Sequence, residues 1–292
     1  VAANAMFLLY WILKGRRQFW LSFLVLVIGY FTLGTFIKFF KSNREPTEEN
    51  LSVLTFNTQS FHGNSRLTNP QLSDSIVKFI KEENADIVCF QEFDYSKIKG
   101  KDFKQYPFKF VNYEFGVYND KVIQAIYSKY PIIQKGSLEF PNSNNNAIFA
   151  DIKIESDTIR IYNLHLQSLR VRPGSIRREQ SQKLLKRLNT SFVKQQEQAE
   201  IVLEHSKTTS HKKIICGDFN NSQYSNVYND IKGDMKDTFM EMGLGYGRTY
   251  NFKFLPLRID FILVDEQMEV MDHKNYDVKL SDHFPVMASI KL

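Results

Sequence analysis

The sequence of 292 residues predicts a mixed α/β domain that follows an N-terminal membrane segment. Three observations support this fold class. Stretches with the apolar spacing of strands and of helices alternate along residues 51–292. Polar residues follow several predicted strands, as in open α/β sheets that carry a site at their strand ends. Residues 1–44 contain six basic residues, no acidic residue and two long uncharged runs.

The second uncharged run, residues 19–37, has about the length that spans the hydrocarbon core of a bilayer. Trp20 and Tyr30 are amphipathic aromatic residues within the run, and Lys38 and Lys41 follow it. Such residues are typical of membrane interfaces. We therefore expect a transmembrane helix here, and we consider a buried core helix or a cleaved signal peptide less consistent with the flanking charges and the length.

The expected domain organisation has three parts. Residues 1–44 form a membrane anchor, with a partial first helix, the basic loop "KGRR" and a second helix over 19–40. Residues 45–50 form a polar linker, and residues 51–292 form the folded domain. The three cations of the loop favour a cytoplasmic loop, which would place the folded domain outside the cytoplasm, on the periplasmic side. Three cations also flank the far end of the second helix, so the charge bias is small.

The folded domain is predicted to start with a strand at 51–56 and a helix at 72–84. The helix has apolar residues at 72, 76, 77, 79 and 80, the spacing of an amphipathic helix. The next elements alternate between short apolar strands and one long helix. They are predicted at 86–90, 121–128, 147–154 and 158–166 (strands), about 175–206 (helix), and 212–217, 258–264 and 285–292 (strands).

Charge and cysteine content give no evidence for a particular function of the folded domain. Beyond residue 44, the 32 remaining basic residues are matched by 32 acidic residues, so the net charge of +6 belongs to the N-terminal segment. The charge is therefore no evidence that the folded domain binds nucleic acid. Cys89 and Cys216 each lie in a short apolar run, and we interpret them as small buried residues rather than as disulfide partners or metal ligands.

Side chains that can bind a metal or move a proton lie at the ends of predicted strands. They are Asn57, Glu92, Asn163, His165, Asp218, Asn220, Asp260, Asp282 and His283. Each has a simpler structural explanation when taken alone, such as a turn cap, a core histidine or a surface ion pair. Together they supply oxygen ligands for a hard cation, a histidine with a carboxylate partner, and donors for charge on a phosphate. The combination predicts metal-assisted phosphoester hydrolysis.

Seven motifs occur in an order that resembles the endonuclease/exonuclease/phosphatase superfamily, which is deoxyribonuclease I-like. They are "TFN" (55–57), "QE" (91–92), "YSKYPI" (127–132), "NLHL" (163–166), "GDFN" (217–220), "RIDFIL" (258–263) and "SDHFPV" (281–286). The chain resembles a membrane-anchored bacterial member, and the likeness covers residues 51–292. It implies a four-layer α/β sandwich, in which helices flank two mixed β-sheets and the site lies at one edge.

The resemblance also implies a role for each strand-end residue. It implies a site for Mg²⁺, which Mn²⁺ could replace. Glu92 would be the main ligand, Asn57 would assist in binding the metal, and Asp282 would approach it, often through water. For catalysis it implies that Asp260 orients His283 and that Asp218 positions or deprotonates the attacking water. For the substrate it implies phosphate contacts from His165 and Asn220 and a binding role for Asn163. Gln59 stands where abasic endonucleases carry a carboxylate, so that element of the metal site is absent.

The sequence therefore predicts a membrane-anchored, Mg²⁺-dependent phosphodiesterase that contacts the lipid bilayer. Its expected substrate is nucleic acid or a phospholipid headgroup, and the residues leave that choice open. The alternative is a catalytically inactive binding module on the same fold, which the intact site residues disfavour. Residues 170–187 contain seven basic residues and one acidic residue, and they form either a solvated helix face or an arm that attracts anions.

Overall fold

The computed structural model describes residues 1–33, 37–40, 44–61, 70–97, 103–113, 121–171, 180–252 and 255–292. The chain divides into two compact units, Val1–Phe39 and Phe40–Leu292. The N-terminal unit contains α1 (Ala2–Leu13) and α2 (Phe19–Leu33), which pack against each other. Many of their apolar side chains are exposed. Within the described ranges, no helix combines the length and the apolar character that crossing a membrane requires.

Two six-stranded mixed sheets form the larger unit. The first contains, in spatial order, β13 (Glu269–Asn275), β14 (Val286–Lys291), β1 (Leu51–Asn57), β2 (Ile87–Gln91), β4 (Ala125–Ser128) and β3 (Phe108–Val111). The second contains β5 (Ile132–Glu139), β6 (Asn146–Ile154), β7 (Asp157–His165), β8 (Lys212–Asp218), β12 (Asp260–Val264) and β9 (Lys236–Asp237). The parallel pairs are β1–β2 and β7–β8, and a separate hairpin joins β10 (Tyr250–Phe252) to β11 (Leu255–Leu257).

The two sheets enclose an apolar core, and helices cover their outer faces. Alternate residues of both sheets meet in this core, among them Ile87 and Ile161. Cys89 and Cys216 are free and buried there, as the sequence predicts. Helix α3 (Pro70–Glu83) packs on the first sheet, and α4 (Ser181–Ser206) with α5 (Asn226–Lys232) packs on the second. A short helix, α6 (Thr238–Met242), follows β9. The expected arrangement of two mixed sheets flanked by helices is confirmed.

The predicted elements differ from the observed ones mainly at the sheet edges. Each predicted strand has a counterpart, although the strand expected at 121–128 begins only at Ala125. The helix expected at 175–206 is described from Ser181, because residues 172–179 lie outside the described residues. The sequence analysis missed β3, β5, β9, β10, β11 and β13. Most residues of β5 are exposed, so its sequence lacks the apolar alternation that marks a half-buried strand.

Helix α4 is hydrogen-bonded to the segment that follows β7. Side chains on one face of α4 bond to successive backbone groups: Gln198 to the Gln167 N–H (2.8 Å), Gln195 to the Gln167 carbonyl (2.7 Å), Ser191 to the Ser168 carbonyl (3.3 Å), and Arg187 to the Leu169 carbonyl. The four side chains lie three or four residues apart and so share one face of the helix. They hold the carboxyl end of β7 in a fixed position on α4.

Gln195 also reaches the carboxyl end of β8. Its Nε2 lies 3.4 Å from the Phe219 carbonyl oxygen and 3.3 Å from that of Asn220. Its Oε1 accepts a hydrogen bond of 2.8 Å from Asn221 Nδ2. The side chain of Gln195 is completely buried. Because one buried amide bonds to both strand ends, it fixes their separation.

We expect Gln195→Met to lower the free energy of unfolding by about 1–3 kcal/mol, because buried groups at both strand ends lose their hydrogen-bond partner. Urea unfolding followed by circular dichroism measures this loss. The matched control is Gln196→Met on the same helix, whose Nε2 bonds at the surface to Asp230 (2.9 Å), with an expected change within about 0.5 kcal/mol. Equal effects of the two substitutions would contradict the role assigned to Gln195.

Candidate active site

Strand pairing brings the predicted site residues to one edge of the sandwich. The parallel β7–β8 pair places His165 beside Asp218, and the antiparallel β8–β12 pair places Asp260 opposite Asp218. In the first sheet, Asn57 ends β1 beside the end of β2, and Glu92 follows directly. The carboxyl ends of both parallel pairs therefore meet, as expected for a site at strand ends.

Gly217 allows β7 and β8 to approach closely just before Asp218. Its φ is +125°, and a Cβ atom at this position would lie 2.2 Å from the Leu164 carbonyl oxygen. A side chain here would push the strands apart, so only glycine is compatible with this pairing. The position of Asp218 beside His165 depends on that glycine.

His283 and Asp260 form a buried pair. Nδ1 of His283 lies 3.0 Å from Asp260 Oδ1 and 2.9 Å from Oδ2, and its Nε2 lies 3.6 Å from Asp218 Oδ2. Burial disfavours the charged imidazole, but the carboxylates of Asp260 and Asp218 outweigh it and raise the pKa of His283 to about 10. The Tyr250 ring packs against the imidazole at 4.8 Å between centroids. His283 is therefore a cation held in one orientation.

Asp218 lies at the centre of the site. Its carboxylate accepts hydrogen bonds from Asn57 Nδ2 (3.0 Å), from the Asn220 backbone N–H (2.7 Å) and from Asn220 Nδ2 (3.1 Å). Burial raises the pKa of Asp218 to about 6, although the nearby charge of His283 opposes the shift. A carboxylate with this pKa is a suitable proton acceptor near neutral pH. Asn220 also donates to the Leu166 carbonyl (3.0 Å), so in this structure it supports Asp218.

His165 lies between the carboxylates of Glu92 and Asp218. Its Nε2 is 3.7 Å from Glu92 Oε1 and 3.7 Å from Asp218 Oδ2, distances beyond a hydrogen bond. Burial lowers the pKa of His165, so the ring is neutral near pH 7. Its buried Nδ1 has no hydrogen-bond partner among the described residues. The residue lines both cavities of the site and can offer a ring nitrogen to a ligand.

Glu92 follows β2 in a left-handed backbone conformation, with φ +48°. Its carbonyl oxygen accepts hydrogen bonds of 2.8 Å from the Thr58 hydroxyl and of 2.8 Å from the Ser60 N–H. Its side chain accepts from Asn57 Nδ2 at 3.3 Å and lines both cavities. A left-handed backbone is unfavourable for a residue with a side chain, so the two bonds hold Glu92 against local strain. Asn220 adopts a similar conformation, with φ +51°.

Gln59 supplies an oxygen atom that the sequence analysis did not anticipate. Its Nε2 donates to Asp282 Oδ2 at 3.3 Å, so its Oε1 points away from that carboxylate. This Oε1 is buried and has no hydrogen-bond partner within the described part of the chain. Gln59, Glu92 and Asp282 line the same cavity. The carboxylate that abasic endonucleases carry at this position is absent here, and a buried amide oxygen lies beside Glu92 and Asp282 in the lining of the cavity instead.

One group of buried side chains in the described part of the chain has the geometry to hold a metal ion. Among the described residues, Asp218, Asp260 and His283 have possible ligand atoms within 4.8 Å of one another. In this group Nδ1 of His283 is already bonded to Asp260. Gln59, Glu92 and Asp282 line one cavity and carry oxygen atoms, which a hard cation such as Mg²⁺ or Mn²⁺ prefers to nitrogen.

Asn163 does not reach the cavities, in contrast to the sequence expectation. Its Nδ2 donates to the carbonyl oxygens of Phe90 (2.9 Å) and Ala125 (3.2 Å), and its Oδ1 accepts from Gln91 (2.6 Å). The residue is completely buried between the sheets. In this structure Asn163 therefore joins the two sheets. The other eight predicted residues lie together at the edge.

Two cavities meet at the site and differ in character. One, of about 530 Å³, is lined mainly by polar and basic residues, including Lys121 and Lys194. The other, of about 570 Å³, has aromatic and aliphatic residues on one wall, including Tyr250, Phe252 and Ile259. Glu92, His165, Ser168 and Arg170 line both. A ligand bound at Glu92 and His165 would thus face a polar cavity on one side and a partly apolar cavity on the other.

Several solved structures share this fold at low sequence identity. A mannosyl-6-phosphatase from Bacteroides thetaiotaomicron is 19% identical, with a TM-score of 0.63 over 83% of this chain and 100% of that chain. The protein TDP2 of D. rerio, solved with a single-strand DNA product, is 15% identical, with a TM-score of 0.62 over 84% and 100%. The human Nocturnin catalytic domain, solved with a sulfate anion, is 14% identical, with a TM-score of 0.62 over 84% and 96%.

Family models match two parts of the sequence. Residues 1–36 match a domain of unknown function. No curated protein sequence matches the chain. The model of the Endonuclease/Exonuclease/phosphatase family matches residues 54–283, a range that begins in β1 and ends at His283. This chain belongs to the Endonuclease/Exonuclease/phosphatase family.

Proposed function

We propose that this chain is a Mg²⁺-dependent phosphodiesterase that hydrolyses a phosphoester by attack of an activated water. The observation that carries the proposal is the arrangement around Asp218, a buried carboxylate placed between a neutral His165 and a cationic His283. This arrangement combines a proton acceptor with donors for phosphate oxygens. A binding module that had lost catalysis would not need a carboxylate with a raised pKa beside a fixed cation.

Glu92, Gln59 and Asp282 would hold the divalent cation, with Asn57 holding the Glu92 carboxylate in place. A bound Mg²⁺ would neutralise negative charge on the phosphate oxygens and so favour attack. Mn²⁺ accepts the same oxygen ligands and could replace it. The orphaned buried oxygen of Gln59 supports this assignment, because a cation would give it the partner that it lacks.

The side chains of the chain itself would carry the proton and charge steps. Asp218 accepts a proton from the attacking water, since its pKa near 6 leaves it mostly ionised at neutral pH. His283 Nε2 donates a hydrogen bond to a phosphate oxygen as negative charge develops, and Asp260 fixes its orientation through Nδ1. His165 supplies a further contact to the phosphate. Asn220 keeps Asp218 oriented toward the water.

The substrate class is either nucleic acid or a phospholipid headgroup. The fold of this chain resembles that of a protein solved with a single-strand DNA product and that of a sugar phosphatase. A panel of bis(p-nitrophenyl) phosphate, DNA, RNA, sphingomyelin and phosphatidylinositol phosphates, each assayed with Mg²⁺, would distinguish these classes. Hydrolysis of none of them would overturn the proposed function and favour the binding module.

We expect Glu92→Gln to abolish Mg²⁺-dependent hydrolysis while the fold is retained, because an amide lacks the charge that holds a hard cation. Activity titrated against Mg²⁺ and the far-ultraviolet circular dichroism spectrum are the two measurements. Glu197→Gln, at an exposed position of α4, serves as the matched control and should keep the activity of the unmodified protein. Normal turnover of Glu92→Gln at ordinary Mg²⁺ concentrations would remove Glu92 from the metal site.

We expect kcat/KM to rise as the pH increases through about 6, when Asp218 ionises, and to fall as the pH approaches about 10, when His283 loses its proton. Asp260→Asn removes the carboxylate that raises the pKa of His283 most. The falling limb should therefore move to lower pH by on the order of one unit or more, and kcat should fall by on the order of 10²-fold.

The control for this profile is Asp277→Asn, which removes an exposed carboxylate 2.7 Å from Arg248. Its pH profile should match that of the unmodified protein, because Asp277 is exposed and is not among the carboxylates that raise the pKa of His283. An alkaline limb that does not move in Asp260→Asn would show that His283 is not the group that titrates there.

We also propose that residues 1–44 anchor the domain to a lipid bilayer and that residues 51–292 lie outside the cytoplasm. The exposed apolar side chains of α1 and α2 and the three cations between these helices support this proposal. Protease added to intact spheroplasts should remove a tag placed at Leu292. A tag that stays protected until the membrane is lysed would place the domain in the cytoplasm.

A further inference from the structure

A groove beside the candidate active site carries a strong positive charge. Its volume is about 370 Å³, and its basic lining residues are Arg170, Lys183, Lys186, Arg187 and Lys194. The other residues that line it are uncharged and polar, and none of the described lining residues is acidic. Five cations in the lining of one groove create a positive potential that attracts anions. The groove combines Arg170, which precedes α4, with Lys183, Lys186, Arg187 and Lys194 on the helix.

The groove continues directly into the polar cavity of the site. Gln167, Arg170 and Lys194 line both the groove and the cavity that contains Glu92 and His165. A molecule whose phosphoester lies at Glu92 and His165 can therefore extend into the groove without leaving the protein surface.

The shape of the groove is fixed by the same contacts that fix the strand ends. Arg187 and Ser191 of α4 bond to the carbonyls of Leu169 and Ser168, so both walls are held together. Lys183 and Lys194 lie eleven residues apart on α4, which corresponds to about 16 Å along the helix axis. This length exceeds a single phosphate group and suits an extended anion.

We propose that this groove binds a second phosphate group of the substrate, separate from the phosphoester that is hydrolysed. The proposal rests on the proposed function for the position of the scissile phosphoester. It predicts a preference for substrates that carry at least two phosphate groups. A nucleotide and a phosphorylated lipid headgroup share this chemistry.

The first test uses two substrates that differ only in the second phosphate: the 5′-p-nitrophenyl phosphate ester of thymidine, with and without a 3′-phosphate. The unmodified protein should show a kcat/KM about fivefold or more higher for the substrate with the 3′-phosphate. This ratio should shrink as salt is added, because exposed charges are screened. A ratio near one at low salt would overturn the proposal.

Lys183→Gln combined with Lys186→Gln should bring this ratio close to one, because both side chains are exposed cations of the groove. The matched control combines Lys207→Gln with Lys291→Gln, two exposed lysines that line neither the groove nor the cavities of the site. The control should keep the full ratio. An equal decrease in both variants would overturn the proposal, since it would reflect total charge only.

A binding measurement without turnover separates this proposal from the proposed function. Fluorescein-labelled pentathymidylate is titrated with protein in EDTA, and its anisotropy reports binding. Weaker binding of the oligonucleotide by the variant with Lys183→Gln and Lys186→Gln than by the lysine control would support phosphate binding in the groove. This result would hold even if neither nitrophenyl ester is hydrolysed and the proposed function fails. If the two variants bind the oligonucleotide equally well, the proposal that the groove binds phosphate is overturned.

Two competitors in the same assay identify the source of the second phosphate. Thymidine 3′,5′-bisphosphate represents a nucleotide, and dioctanoyl phosphatidylinositol 4,5-bisphosphate represents a lipid headgroup. Displacement of the labelled oligonucleotide by either competitor would support the binding of a second phosphate in the groove. The competitor that acts at the lower concentration indicates whether that phosphate belongs to a nucleotide or to a lipid headgroup. Displacement by neither would contradict a site for a second phosphate.

Discussion

Two buried carboxylates, Asp218 and Asp260, face each other across the β8–β12 pair, and the cationic imidazole of His283 compensates their charge. Two like charges in a poorly solvated site favour protonation of one of them. His283 opposes this because it touches Asp260 with Nδ1 and faces Asp218 with Nε2. The two carboxylates belong to the second sheet, whereas His283 lies just before β14 of the first. The charge balance of the site therefore exists only when the two sheets are packed together.

Other polar contacts also cross from one sheet to the other near this edge. Asn57 of β1 bonds to Asp218 of β8, and Asn163 of β7 bonds to Gln91 at the end of β2. Away from the edge, the sheets meet through apolar side chains. Apolar contacts have little directional preference, whereas buried hydrogen bonds require particular partners. The polar edge thus fixes the alignment of the sheets, and the apolar core supplies most of the stabilisation.

The sequence is informative about the site because parallel strands bring their carboxyl ends together. This rule places His165 beside Asp218, whereas Asp260 reaches the same edge because β12 runs antiparallel to β8 and begins there. The rule does not predict whether a side chain at a strand end reaches the cavities or stays buried between the sheets. Asn163 and His165 lie two residues apart on β7 and face the same way, yet only His165 reaches the cavities. The expected roles at the metal and the substrate stay predictions.

The roles of Gln59 and Gln195 could not be predicted for a different reason. An amide side chain has no preferred partner, and its role depends on which backbone or carboxylate group the fold places beside it. Gln195 bonds to two strand ends that are distant in sequence, and Gln59 meets Asp282 from the far end of the chain. The edge strand β5 was missed because an exposed strand carries few of the apolar residues that reveal a pattern.

The left-handed backbone at Glu92 and Asn220 has a consequence for how this protein tolerates change. Each such residue carries a conformational cost of about 1 kcal/mol or more, which glycine does not carry and asparagine carries to a smaller degree. Replacing Glu92 by asparagine or glycine would relieve that cost while removing a carboxylate from the cavity. Mutational drift under selection for folding alone would therefore favour sequences without Glu92. The persistence of glutamate at this position in a lineage would be a mark of selection for the chemistry of the site.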